Sequence, residues 1–262
     1  MSLGVICCRV LEKEVRAVIQ DVPEVTVLEV MEWGLHTRPE LLLAALVERI
    51  RTLQDHVDAV MLGYGRCLTL DRLPDDFKVP VFYPEGDDCI GVLLSQDRYA
   101  QALQEEAGTW FLTPGWTEMG MEFIFHELQI NRLAEKDLDP LKVAHRMLKD
   151  YTRALFIDMG LGDQELLLSQ AREIAAEFHL RLERTEGSLA GLQATLNQAL
   201  QTLRLKKATC GSRREVTDFS TPPLPQTSAL PGKHTHLDGT GKSPDAKAVS
   251  VPSNSITQKG DQ

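Results

Sequence analysis

The sequence predicts an α/β protein: an open, largely parallel sheet with helices on both faces. Three observations carry this. Up to Leu205 the chain alternates short apolar β-like runs with amphipathic helical runs, the order that builds a parallel sheet. A hydrophobic fraction of 43% and a charged fraction of 25% are ordinary for a chain that buries a core. Three cysteines fall just past successive strands, where βα turns belong: Cys8 after Leu3–Cys7, Cys67 after Val57–Leu62 and Cys89 after Val79–Tyr83.

The elements follow in order. Leu3–Cys7 and Val25–Met31 read as strands, with Val10–Gln20 helical between them. A long helix over Arg38–Leu53 has Thr37 as its expected N-cap and Pro39 near its first position. Strands at Val57–Leu62 and Val79–Tyr83 come next, then a helical stretch over Cys89–Glu106, broken near Ser95–Asp97. Trp110–Thr113 reads as a short strand before a Pro114-Gly115 turn. Helices are expected at Met121–Leu133 and Pro140–Tyr151, a strand at Ala154–Asp158, a helix at Gln164–Phe178, a short strand near Leu180–Glu183 and a last helix at Leu189–Leu203.

Composition changes near Leu205. From Lys206 to Gln262 the chain is rich in Pro, Ser, Thr, Gly and Lys and has almost no clustered apolar residues. Such a segment cannot offset its ordering entropy by burial, so the expected organisation is one α/β domain over residues 1–205 and a disordered tail over 206–262. The tail holds eight basic and five acidic residues, a net +3, which leaves the body at −13. An acidic body argues against nucleic acid or an anionic membrane as partner. The longest strongly apolar run, Leu41–Val47, is far short of the ~20 residues of a membrane span. Charges at Arg9, Glu12, Lys13 and Glu14 arrive too early for a signal peptide, and five cysteines without dense spacing suit a reducing compartment. The expectation is a cytoplasmic protein.

The candidate site rests on convergence. Ligands of open α/β sheets bind at the carboxyl ends of strands, so Cys8, Cys67 and Cys89 are expected to meet in one crevice. In Gly86-Asp87-Asp88-Cys89-Ile90 a carboxylate caps a helix and Cys89 lies in its first turn, where the dipole favours thiolate. The neighbouring carboxylates oppose that charge unless a cation sits among them, which suits a metal site better than a free nucleophile. His36, in the loop after the second strand, adds an imidazole, and imidazole with thiolates is a usual zinc set. The expected zinc ligands are Cys8, Cys67, Cys89 and His36. Asp87 and Asp88 are expected as weak or outer ligands, with Tyr64, Arg66 and Trp116 bordering a small-molecule ligand: Arg66 for an anion, Trp116 as an apolar wall. Each feature also has a plain structural reading, since no CxxC pair supports a metal locally. Gly63-Tyr64-Gly65-Arg66-Cys67 has neither dinucleotide-loop nor P-loop spacing. Cys7 is expected in the core, and Cys210 remote in the tail.

These residues also carry a resemblance. Cys8 with Leu11-Glu12, Gly34-Leu35-His36-Thr37-Arg38-Pro39-Glu40, Gly63-Tyr64-Gly65-Arg66-Cys67, Asp87-Asp88-Cys89-Ile90, and Gly108-Thr109 leading to Pro114-Gly115-Trp116 resemble a prokaryotic family known only as a domain of unknown function. Tyr151, Phe156-Ile157, Gly160 and Glu186-Gly187-Ser188-Leu189 extend the resemblance over roughly residues 3 to 200. The family usually has His where this chain has Asp87. Its members often occur beside corrinoid proteins and their methyltransferases, which implies one-carbon metabolism by association and a corrinoid protein as partner. The expected function is thus a zinc-thiolate site in methyl or thiol metabolism, possessing a methyltransferase-type activity if it is an enzyme. The alternative is a non-catalytic accessory protein that binds a small molecule or cofactor. A reversible Cys67–Cys89 disulfide is a third reading.

Overall fold

A computed structural model of the chain describes residues 1–130 and 139–209. The order of elements is β1 (Leu3–Cys8), α1 (Glu12–Ile19), β2 (Val25–Met31), α2 (Pro39–Leu53), β3 (Ala59–Gly63), α3 (Cys67–Leu70) and β4 (Val81–Phe82). It continues with α4 (Cys89–Leu94), α5 (Gln96–Glu105), β5 (Thr109–Leu112), α6 (Pro114–Glu127), α7 (Pro140–Met147), β6 (Arg153–Asp158), α8 (Gln164–Glu177), β7 (Arg181–Glu186) and α9 (Ala190–Thr209). The α/β class and the parallel pairing stand as expected. The strands, however, form two sheets: four strands in the order β2-β1-β3-β4 and three in the order β5-β6-β7, every pair parallel.

In the first sheet side chains three apart on β1 point to opposite faces. Gly4 faces Leu53 at the end of α2, while Cys7 lies by Gly63 and Val15 of α1. α9 returns to the α1 side and packs on β3 and β4, burying Leu192, Leu196, Ala199 and Leu203. Helices therefore cover both faces of this sheet.

The second sheet divides its alternating side chains between two cores. Trp110, Leu112, Ala154 and Phe156 pack with Leu167, Ala171 and Ile174 of α8. Phe111, Leu155 and Ile157, one residue out of phase, belong to the core of the first sheet. Arg153, only 5% exposed, ties the second sheet to α5 through Ala102 O at 2.6 Å and to β5 through Thr109 Oγ1 at 2.9 Å.

Several boundaries differ for identifiable reasons. The N-cap of α2 is Arg38, not Thr37, because a residue before proline is held out of the helical region (φ −131°, ψ 81°). Thr37 instead donates its hydroxyl to Gly34 O in a short 3-10 turn. Pro114-Gly115 opens a helix rather than a turn: Thr113 caps it by accepting from Trp116 N, and a kink at Gly120 (φ 59°) separates its two halves. The break between α4 and α5 falls at Ser95, as expected. α9 runs on to Thr209, past the expected boundary at 205; the rest of the tail and Cys210 lie outside the described residues. No described helix is long and apolar enough to cross a membrane.

Candidate functional site

Strand order locates the crevice. The chain leaves β1 for β2 on one side, then crosses back to β3 on the other, so the connections diverge above the carboxyl ends of β1 and β3. That divergence is where an open α/β sheet leaves room for a ligand. Cys7 pairs with Gly63 at the last position of the β1–β3 register, so Cys8 and Tyr64 each follow that pair.

The Gly63-Tyr64-Gly65 turn explains its own glycines. A Cβ at Gly63 would lie 2.6 Å from Val15 Cγ2 and 2.7 Å from Cys7 Cβ. A Cβ at Gly65 would collide with the Asp88–Cys89 peptide, backbone against backbone. The turn is thus clamped between β1 and the start of α4. Arg66 N donates to Gly86 O at 2.7 Å and joins the two loops. Cys67 opens α3 from this turn, and Cys89 opens α4 from the facing loop.

Asp88 is the cap of α4: it accepts from Gly91 N at 2.8 Å and from the Tyr99 hydroxyl at 2.9 Å. Its carboxyl sits above the usual range, because burial outweighs these bonds. Asp88 therefore orients the helix that presents Cys89, while Asp87 is exposed. Arg66 is also exposed and paired to Asp71 at 2.7 Å. Trp116 is buried, stacked on Phe123 with ring centroids 5.1 Å apart, and its indole N–H has no partner among the described residues.

The thiols behave as one electrostatic group. Burial pushes Cys8 up to about 11, against hydrogen bonds from Val10 N and Arg9 N. Cys89 is driven up further: burial leads, the charges of Cys8, Asp88 and Cys67 add to it, and a bond from Gly65 N opposes it. The expected thiolate-favouring helix start is overridden, because desolvation is the larger effect in a six-residue helix. Cys7 is fully buried and pushed to about 12. Tyr64 is 4% exposed, its buried hydroxyl has no hydrogen-bond partner among the described residues, and burial leads in raising its pKa.

His36 belongs to a different pair. Its Nε2 lies 3.0 and 2.8 Å from the two oxygens of Glu127, a carboxylate 1% exposed at the end of α6. The Gly34 backbone packs on the His126 ring, and Trp33 meets that ring edge-on at 4.7 Å. This clasp borders the thiols, since the Glu127 charge acts on Cys8. Among the described residues, no three His, Cys, Asp or Glu side chains stand close enough to hold a metal as they are. The structure thus places Cys8, Cys67 and Cys89 at βα turns on the carboxyl-end side of the first sheet without assembling them into a metal-holding group among the described residues, with His36 on Glu127 and Arg66 exposed.

Sequence reasoning missed Glu127 and Glu14. Glu14 is fully buried on α1, with no partner for either oxygen among the described residues, and burial raises it to about 7. Both were visible as charges at apolar-face positions: Glu14 beside Leu11, Val15 and Val18, Glu127 beside Phe123 and Ile124.

One family model matches the chain, over residues 30–196, and its description is protein of unknown function (DUF1638). Cys8 precedes the matched segment; Cys67 and Cys89 lie within it. No curated protein and no solved structure matches.

Proposed function

The chain belongs to the DUF1638 family of unknown function, and from the chemistry of its first crevice we propose that it is a metal-thiolate protein. Cys8, Cys67 and Cys89 would hold a soft divalent cation such as Zn²⁺. What supports this reading is that Cys8 ends β1, Cys67 opens α3 after β3 and Cys89 opens α4 after β4, three thiols at βα turns on the carboxyl-end side of the sheet whose order reverses. Without a cation, Cys8 and Cys89 are neutral thiols at physiological pH, which makes them poor nucleophiles and poor redox groups. A metal reverses that preference by stabilising their charged forms.

The three thiols do not form a metal-holding group as they stand, so binding an ion would require them to move. A rotamer strained by ~30° costs about 1 kcal/mol, against roughly 10–16 kcal/mol of binding free energy at structural zinc sites. Held by Cys8, Cys67 and Cys89, such a cation would act as a Lewis acid that lowers the pKa of a substrate thiol, whose proton would pass to solvent, and so would ready that sulfur as a methyl acceptor. Methyl transfer to that sulfur from a corrinoid protein is the reaction class that the family resemblance adds.

The non-catalytic reading draws support from one observation: the thiols are not assembled as a metal trio. In that reading the crevice binds a small molecule and the cysteines line it. The two separate in one experiment. Chain equilibrated with Zn²⁺ and then desalted is expected to retain about one metal, and Cys8→Ser, Cys67→Ser and Cys89→Ser each to lose it. No retained zinc, with three ordinarily titrating thiols, would overturn the metal reading in favour of the ligand-binding one.

A further inference from the structure

Two histidines of the chain meet a glutamate through Nε2, and the two pairs differ in what surrounds the carboxylate. His145 meets one oxygen of Glu177 at 3.2 Å, with side chains 34% and 42% exposed. Water competes there, and such a pair orients its ring weakly. His36 meets both oxygens of Glu127, at 3.0 and 2.8 Å, and that side chain is only 1% exposed. The loop that carries His36 is itself fixed. Gly34 is left-handed (φ 78°) and packs its backbone on the His126 ring, while Thr37 donates its hydroxyl to Gly34 O at 2.8 Å. The loop follows β2, on the carboxyl-end side of the first sheet. The second ring nitrogen of His36 is left over. Among the described residues Nδ1 makes no hydrogen bond, and it is not sealed from solvent; the side chain is 22% exposed.

We propose that His36 is a general base: Glu127 holds the ring proton on Nε2, and the open Nδ1 takes a proton from a small molecule carrying a weakly acidic O–H or S–H. The assignment stands on the dyad alone and needs no metal. A carboxylate accepts and does not donate, so facing Nε2 with both oxygens it selects the tautomer with hydrogen on Nε2 and a lone pair on Nδ1. In the transfer, the O–H or S–H bond of the substrate breaks and its electron pair stays on the oxygen or sulfur. The proton bonds to Nδ1, and the resulting imidazolium is stabilised by the Glu127 carboxylate until solvent or the product takes the proton back. Glu127 acts through the ring and is a positioning residue. The exposed His145–Glu177 pair has the same contact without the burial that fixes a tautomer.

The test reads the tautomer and the reactivity of His36 in the full chain. Nitrogen NMR of histidine-labelled wild type, with the signal assigned by its absence in His36→Gln, should place the proton on Nε2 and leave Nδ1 bare. Diethyl pyrocarbonate then probes the bare nitrogen. Nδ1 attacks a carbonyl carbon, and the anhydride C–O bond breaks with its electron pair on the leaving ethyl carbonate. That anion takes the ring proton and decomposes to carbon dioxide and ethanol. Peptide mass mapping should find His36 modified in wild type. Glu127→Gln should slow that modification by roughly tenfold or more, because an amide N–H can donate to Nε2 and hold the wrong tautomer. Modification of His145 should not change in the same variant. A wild-type proton on Nδ1, an unreactive His36, or an unchanged rate in folded Glu127→Gln would overturn the assignment and leave the pair a clasp between loop and helix. If Glu127→Gln does not fold, the wild-type tautomer and reactivity decide alone.

Discussion

The carboxyl edges of the two sheets are built from the same parallel βα units, yet they differ in strand order and in the residues at their turns. In the first sheet the order reverses between β1 and β3, and Cys8, Cys67 and Cys89 stand at its βα turns. The second sheet runs β5-β6-β7 without reversal. Its polar groups are occupied: Asp158 pairs with Arg184, and Arg153 with Glu183 at 3.2 Å. Trp116, beyond β5, stacks inside the core. Location at a strand end is therefore insufficient to leave room for a ligand; diverging connections supply that room in the first sheet, and the one-way sheet uses the same edge for packing and ion pairs.

The largest expected effect tests the structural half of this comparison. Arg153→Ala leaves Thr109, Ala102 O and Glu183 without their buried cation. It should lower unfolding stability by about 3–4 kcal/mol in denaturant titration, a little below the usual cost of breaking a buried pair because Glu183 reaches solvent. Metal binding by the first sheet should survive it. Loss of both together would mean that the two edges are one site.

Gly65→Ala strikes the other edge. Its Cβ meets backbone, which cannot rotate away, so a cost of about 3 kcal/mol is expected together with displacement of Cys89. Metal affinity should fall with stability here, whereas Arg153→Ala separates them. An unchanged affinity in Gly65→Ala would remove Cys89 from the site.

Glu14 gives a pH test. Its folded value near 7 lies above the unfolded 4.5, so between these values the native state binds more protons than the unfolded state. Stability contributed by the neutral carboxyl is complete below pH 4.5 and is lost as pH rises to about 7. The loss reaches about 3 kcal/mol at most. Glu14→Gln should flatten that slope and raise stability at pH 8; an unchanged pH profile would show that the carboxyl finds a partner on ionising. The smallest effect is Tyr64→Phe in the metal-free chain, expected within about 0.5 kcal/mol of wild type by thermal unfolding, because the hydroxyl it removes has no partner among the described residues.

Much of the first edge was legible. Strand ends followed by glycine turns and cysteines mark βα units, and Asp-Asp-Cys marked the start of α4, whose cap is indeed Asp88. The division into two sheets was hidden for a physical reason. Trp110-Phe111-Leu112 and Ala154-Leu155-Phe156-Ile157 are apolar on both faces, as any central parallel strand is, because each face enters a different core. The His36–Glu127 pair spans 91 residues, and nothing local to His36 distinguishes a carboxylate partner from a metal. The height of the Cys89 pKa was equally invisible, because it depends on burial that only the folded crevice creates.

X-ray absorption at the zinc edge of metal-loaded chain tests the central claim most directly. The account predicts three cysteine sulfurs at ~2.3 Å, one of them lost in each of Cys8→Ser, Cys67→Ser and Cys89→Ser and none in Cys7→Ser. A first shell of nitrogen and oxygen alone, or a sulfur count unchanged by those three substitutions, would contradict it.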